Sequence, residues 1–437
     1  MKTFIVVWIG QLLSVIGSGL TSFGLGVWVL LETGSVTKFS FIMLAASLPA
    51  IIAAPFTGVL IDRFKRKYIM IIADSISGLA TLSLLTLLLT NNLEIWHIYI
   101  IASVVSLFSS VQLPAYQSAI SLMVPKSQLG RANGMVQLAE ASSLIVGPVV
   151  AGFLIALYGL SAVVLVDLIT MSIAITILCF AKIPEIEHEE YKTEEKPSVW
   201  FEAKQGLLYI KERPGLIGLM LYFATINFLF GFFNVLIQPL ILSLSNETVL
   251  GTVISISGVG MFIGGILMST WGGAKNKVKG LFSIASIFGV SLVMIGLTES
   301  LIVITAGVTL SFFLIPMVNA HSQSIFQQKV EPSVQGRVFS LRIMVSRILM
   351  PISIVLAGPT IDYIADPLMA EGGALASTVG MVIGVGEGRG IGLVFLVIGL
   401  LHTLILLVIY FHPRVRNMNH EIPDVLDEDE AKQVALS

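Results

Sequence analysis

The feature that most constrains this chain is a recurrence. Stretches of about twenty apolar residues follow one another from end to end. Each suits a hydrocarbon layer of about 30 Å when wound as a helix rising about 1.5 Å per residue. Such segments must satisfy their backbone hydrogen bonds internally, because lipid offers no partners. Composition agrees: 55% of the 437 residues are hydrophobic, 12% are charged and the mean hydropathy is +0.93, where a soluble domain carries roughly 25% charged residues. The sequence therefore predicts an all-α integral membrane protein with no large soluble domain. The first apolar run, from Phe4 to about Leu31, is too long for a signal-peptide core and lacks a small-x-small cleavage site, so it reads as a retained span.

Splitting the apolar runs at charges and turn residues predicts twelve spans, near 4–31, 39–61, 68–90, 95–121, 132–157, 160–181, 215–243, 250–272, 280–298, 300–325, 337–361 and 390–411. An even count puts both termini on one side. If that side is cytoplasmic, the loops on the other face hold only Lys38 and Arg389 of the 25 basic residues, as the positive-inside rule requires. The expectation is a multi-pass plasma-membrane protein with cytoplasmic termini and the lipid bilayer as its solvent. Trp28 and Trp96 then fall near the outer boundary, and Trp8 and Trp271 near the inner one, where indoles settle.

The longest cytoplasmic connection divides the chain into an N-terminal six-helix bundle, 1–181, a linker, 182–214, and a C-terminal six-helix bundle, 215–412. The linker opens with the acidic run "EIEHEEYKTEEKP" and continues as "SVWFEAKQGLLYIKERP", which predicts a surface-lying amphipathic helix. The tail, 413–437, carries "DVLDEDE" and predicts disorder. "AYQSAISLMVPKSQLGRANG" aligns with "HSQSIFQQKVEPSVQGRVFS" at an offset of 206, placing Gln117 over Gln323, Ser118 over Ser324 and Gly130-Arg131 over Gly336-Arg337. Parallel six-span repeats of this kind belong to carriers that rock one half against the other around a central site.

Residues 62–67, "DRFKRK", put five charges in six positions between two apolar spans. Gly58, Leu60, Asp62, Arg63, Arg66 and Lys67 fit a pattern G-x-L-a-D-R-x-G-R-[RK], with Lys65 where glycine is usual, and "GPVVAG" at Gly147, Pro148 and Gly152 fits G-P-x-x-G. On these two elements the chain resembles the major facilitator superfamily over nearly its whole length. "DRFKRKYIMIIAD", "WIGQLLSVIGSGL" and "QGRVFSL" are similar to its bacterial macrolide-efflux and siderophore-exporter branch. The resemblance implies the major facilitator fold and gating roles for Gly58, Asp62, Arg63, Arg66, Gly147 and Pro148. Asp62 and Arg66 would join a network at the cytoplasmic helix ends, the acid resting against the start of span eleven near Gly336 to Ser340. Val105 stands where many family antiporters carry an arginine linked to proton coupling. The stretch 366–392 is similar to a loop in members associated with peptide natural products.

Ionisable groups inside spans are the informative minority, since one near the bilayer centre costs about 2.5–3.5 kcal/mol on insertion scales. Four are candidates for coupling: Glu140, Arg347, Asp74 and Asp167. Glu140 and Arg347 sit one position apart in the repeat alignment, which suits a pair facing across a central cavity or a static ion pair. Asp167 suits a bond to a neighbouring helix or a cargo contact, and Asp74 a pairing with the basic loop. On span seven Asn227, Asn234 and Gln238 fall within about 40° of arc, either a hydrogen-bonding cavity wall or a set of interhelical bonds. Gln11 on span one, Gln112 and Tyr116 on span four, and Asn319 and Gln323 on span ten complete a predicted polar lining for an amphipathic cargo.

The exclusions are as definite. A net charge of -2 argues against a nucleic-acid partner. The single cysteine, Cys179, removes intrachain disulfides and thiolate metal sites. "IGVGEGRGIG" enters a span from outside and lacks the βαβ context of a dinucleotide fingerprint, so it reads as flexible backbone over the outer vestibule. With no Walker A run, zinc cluster or nucleophile elbow, the sequence predicts no enzyme activity, cofactor or metal. The resulting expectation is a secondary transporter driven by an ion gradient, exporting amphipathic small molecules. A nutrient symporter and a non-transporting membrane sensor are the alternatives.

Overall fold

The computed structural model describes residues 2–125, 128–183, 208–331 and 334–422. Some helix side chains, among them those of Asp62, Arg63, Arg337, Ser340 and Arg347, lie outside the described residues, as do the surroundings of Gly58. Twelve helices are long and apolar enough to cross a membrane. Spans one to six are Lys2–Thr33, Val36–Arg63, Arg66–Leu89, Ile95–Met123, Leu129–Tyr158 and Leu160–Phe180. Spans seven to ten are Pro214–Leu244, Glu247–Trp271, Lys277–Gly296 and Leu301–Lys329, and span twelve is Arg389–Phe411.

Local chemistry starts and stops these helices. Ser35, Asn246 and Asn276 cap spans two, eight and nine by accepting from the amides of Lys38, Val249 and Lys279. Gly272 ends span eight in the left-handed conformation at φ 71°. Prolines 114, 148, 239 and 316 sit inside spans four, five, seven and ten, where each withholds a backbone donor and admits a bend.

Span eleven departs from the continuous helix expected over 337–361. It runs as Gln335–Arg347, breaks at 348–349 ahead of Pro351, resumes as Met350–Thr360, and ends in a π-helical turn, Ile361–Ala365, and a short helix, Asp366–Met369. The proline accounts for the break, since its ring cannot sit inside a continuous hydrogen-bond ladder. The tail expectation is also corrected in part. Residues 413–416 and 418–421 form helical turns whose Val415, Met418 and Ile422 are buried, and the Lys329 Nζ donates to the Ile422 carbonyl at 2.6 Å. The acidic run beyond, and linker residues 184–207, lie outside the described residues; Ile210, at the end of that linker, is buried in the C-terminal bundle.

Packing separates two bundles along the sequence repeat. Span one lies on five and six, and spans two and three on four; span ten lies on eight and nine, and span nine on twelve. The bundles meet through spans five and eight and through spans two and eleven. The distribution of core residues shows where. At the end remote from the termini one hydrophobic core runs through both bundles, from Leu20 and Phe39 to Phe233 and Phe395. At the termini end there are two separate cores, one around Phe4, Met70 and Tyr116 and one around Tyr222, Phe326 and Met418. The bundles are therefore joined at the far end and splay apart toward the termini.

Candidate functional site

The far-end seams rest on backbone-to-backbone approach. Gly251 of span eight lies so close to the Pro148 carbonyl of span five that a methyl group would collide with it, and a Cβ on Gly152 would stand 2.6 Å from the Glu247 carbonyl. Pro148 thus sits at this seam, whereas a Cβ on Gly147 would face Gly19 of span one at 3.6 Å. Gly251, Gly258 and Gly265 recur every seven residues and so share one helix face. A Cβ on Gly258 would touch Ile145 at 3.1 Å, whereas Gly265 has nothing within 4 Å. The opening between the bundles therefore begins below Gly258.

Within the N-terminal bundle, spans one, three and four bring three polar side chains together. Gln112 donates to Gln11 Oε1 at 2.7 Å, and Gln11 donates to Asp74 Oδ2 at 3.4 Å. Gln11 and Asp74 are both buried. No described cation pairs with Asp74, so a carboxylate held only by carboxamides sits inside a membrane bundle. The expected pairing of Asp74 with the basic loop is corrected. Arg66 Nε donates to Ser118 at 2.6 Å, and Lys67 Nζ donates to the carbonyls of Cys179 and Ala181 at 2.8 Å, closing the end of span six where a cation suits the helix dipole. Seven residues farther along span one, Ser18 donates to the buried Asp167 at 3.3 Å. Asp167 thus bonds to a neighbouring helix.

The C-terminal bundle has a different interior. Spans seven, nine, ten and twelve enclose a cavity of about 110 Å³ lined by Phe223, Phe230, Phe288, Asn227, Asn319 and His402 among others. Phe230 stacks on Phe233 at 5.4 Å, and Phe288 meets His402 edge-on at 5.5 Å. Asn227 and Asn234 donate to the carbonyls of Phe223 and Phe230 on their own helix, which leaves each side-chain carbonyl to accept. Asn319 is exposed within its span. His402 is 1% exposed and its Nδ1 has no partner. No residue named in this lining is a formal charge.

Of the expected lining residues only Asn227 and Asn319 line this cavity; Asn234 bonds to its own helix outside it, Gln11 and Gln112 belong to the chain to Asp74, and the other three lie elsewhere. Tyr116 is buried in the N-terminal core with its hydroxyl unpartnered. Gln323 accepts from Arg342 at 2.6 Å and so anchors span eleven to span ten. Gln238 sits at the far-end seam, its Oε1 buried beside Gly26. Glu140 is exposed and makes no ion pair with a described residue; its expected partner Arg347 lies outside the described side chains, as does the expected latch of Asp62 on residues 336–340. Arg389, read as a loop cation, is 0% exposed. Its Nη1 donates to the Ile383 carbonyl at 2.7 Å, its Nη2 to the Thr298 carbonyl at 3.2 Å, and its Nε lies 3.7 Å from Glu299. The glycine-rich run that contains it is accordingly folded, with Gly386 donating to the Met369 carbonyl at 3.1 Å. His402 and Asp362 escaped the sequence reading.

Two six-helix bundles joined at one end, with polar groups held at mid-depth between or inside them, define a membrane carrier that works by alternating access. The chain belongs to the Major Facilitator Superfamily, whose family model matches residues 7–354. It is 30% identical over 372 residues to "Macrolide efflux protein A" of Streptococcus pyogenes, covering 83% of this chain and 90% of that protein. It is likewise 30% identical over 318 residues to the protein of the same name from Enterococcus faecalis, covering 70% and 96%. Among solved structures the nucleoside transporter NupG superposes with a TM-score of 0.70 at 10% identity, covering 94% of this chain and all of that one. A bacterial homologue of the lysosomal transporter Spinster in an inward-facing, unoccupied conformation gives 0.66 at 14% identity, covering 94% and 98%.

Proposed function

We propose that this transporter exports uncharged or amphipathic small molecules from the cytoplasm, with both termini cytoplasmic and the joined end of the bundles facing outward. The observation that carries this reading is the neutral, aromatic-lined cavity of the C-terminal bundle, beside a cleft that widens toward the termini. Pockets for such cargo are mostly apolar with a few polar anchors, and here Asn227, Asn319 and His402 supply those anchors. At about 110 Å³ the cavity receives one ring or branched group of a larger molecule, the remainder lying in the cleft. Likeness to macrolide efflux proteins supports the outward direction, and the placing of basic residues supports the orientation.

Coupling to an ion gradient rests on Asp74. A carboxylate confined to carboxamide partners can exchange a proton without breaking an ion pair, and the Gln112 to Gln11 to Asp74 chain ties that change to spans one and four, which move with the cleft. Proteoliposomes loaded with a macrolide, and separately with a neutral aromatic dye, decide the matter under an imposed pH gradient. Gradient-driven extrusion supports export; inward accumulation supports a nutrient symporter; an absence of flux supports a sensor that has kept the fold.

A further inference from the structure

The far end of the molecule carries a contact that neither the fold nor the family motifs call for. Asp362 lies in the π-helical turn of span eleven, and its carboxylate reaches the first turn of span two in the other bundle, more than three hundred residues away. Oδ2 accepts from Ser35 Oγ at 2.7 Å and from the Thr37 amide at 3.0 Å, and Oδ1 accepts from the Val36 amide at 3.2 Å. Those amides are among the donors that a helix leaves unsatisfied at its start. An anion there is favoured by the helix dipole and by charge-assisted hydrogen bonds. One turn earlier, Gly358 lets the backbone of Thr37 and the side chain of Ser40 close on span eleven.

Among the described residues the companion seam has no such contact. Spans two and eight both start on their own caps, Ser35 and Asn246, but span eight meets span five through glycine and carbonyl groups. A carboxylate placed where an inserted π turn aims it across the seam is thus specific to the contact of spans two and eleven. We infer that Asp362 is a reversible latch that holds the far gate shut while the cleft is open toward the termini. When the bundles rock, the three donors and the carboxylate pass to water at the membrane surface, so the contact can break and re-form once per cycle.

Only the side from which the gate is reached rests on the orientation proposed above. The test uses Ser40→Cys, buried at 0% exposure in the seam, in a Cys179→Ser background because Cys179 is exposed. A membrane-impermeant maleimide is added to intact cells and to inverted vesicles, with labelling in denaturant as the reference. Asp362→Ala is expected to raise the labelling rate from the cell exterior by about tenfold, as expected when charge-assisted bonds to one closed state are lost. Asp362→Asn, which keeps one acceptor, raises it less, and Ser35→Ala least. Gly358→Ala acts on the same seam by wedging it and raises labelling without touching the carboxylate. Labelling in Asp362→Ala and Asp362→Asn equal to the parent, while Gly358→Ala raises it, overturns the latch. A rise seen only in inverted vesicles keeps the latch and overturns the orientation.

Discussion

The N-terminal bundle buries two carboxylates, Asp74 and Asp167, against span one, whereas the C-terminal bundle surrounds a cavity with phenylalanines, two asparagines and an unpartnered histidine. The two share a sequence repeat and a backbone plan, yet their interiors differ in charge, in aromatic content and in what each can hold. A carboxylate without a cation responds to protons; a neutral aromatic cavity responds to shape and apolar surface. The repeat therefore shares one scaffold between halves with different interiors, and the coupling and cargo roles proposed above draw on that difference.

The sharpest way to break this comparison is to remove the charge. Asp74→Asn keeps the hydrogen-bonding shape toward Gln11, so the bundle should fold, but gradient-driven transport should fall by about tenfold or more while downhill cargo exchange persists. Asp167→Asn, whose carboxylate meets a hydroxyl of span one, should change transport by less than about twofold. Everted vesicles under an imposed pH gradient measure both. If Asp167→Asn uncouples transport and Asp74→Asn does not, the coupling carboxylate is Asp167 of span six, which meets span one at Ser18 rather than at Gln11.

Next in size is the cavity. Phe230→Ala removes a ring that stacks on Phe233 and lines the pocket. An aromatic contact of about 1 kcal/mol corresponds to a loss of about fivefold in apparent affinity for an aromatic cargo. Binding measured in detergent should show that loss without a change in the response to pH. A variant that alters both would join the two halves of the comparison into one site.

How much of this could be read from the sequence follows from the range of the interactions. Twelve spans are legible because membrane thickness imposes one length on every helix. Pro148 is legible as a seam residue because its motif is local. The Gln112–Gln11–Asp74 chain is not, since it joins residues 63 and 101 positions apart on three helices, and helical phase says which face a side chain takes but not which neighbour it meets. The burial of Arg389 is not legible either, because a cation within a glycine-rich run looks like a loop residue, whereas here the loop folds around it. Asp362 did leave a trace: an acid near the C-terminal end of a span opposes that helix's own dipole, which hints that it serves another helix.

A smaller effect is expected at Glu140, another of the four coupling candidates of the sequence. Glu140→Gln should alter transport by less than about twofold, since the side chain is exposed and makes no ion pair with a described residue. Uptake into inverted vesicles at several pH gradients tests it directly. If gradient dependence disappears, coupling belongs at the cleft surface and the buried carboxylates of the N-terminal bundle are structural.

The smallest change separates lining from core. Tyr116 is 4% exposed, packs among Phe4, Met70 and Ala119, and carries a buried hydroxyl without a partner. Such a group suffers the desolvation cost with no bond in return, so Tyr116→Phe should leave transport unchanged and stabilise the protein by about 1 kcal/mol. A thermal-shift measurement in detergent reads this as a small rise in Tm. A fall in cargo affinity with no gain in stability would instead place the hydroxyl on the cargo during the cycle, and the N-terminal bundle would then contribute to recognition as well as to coupling.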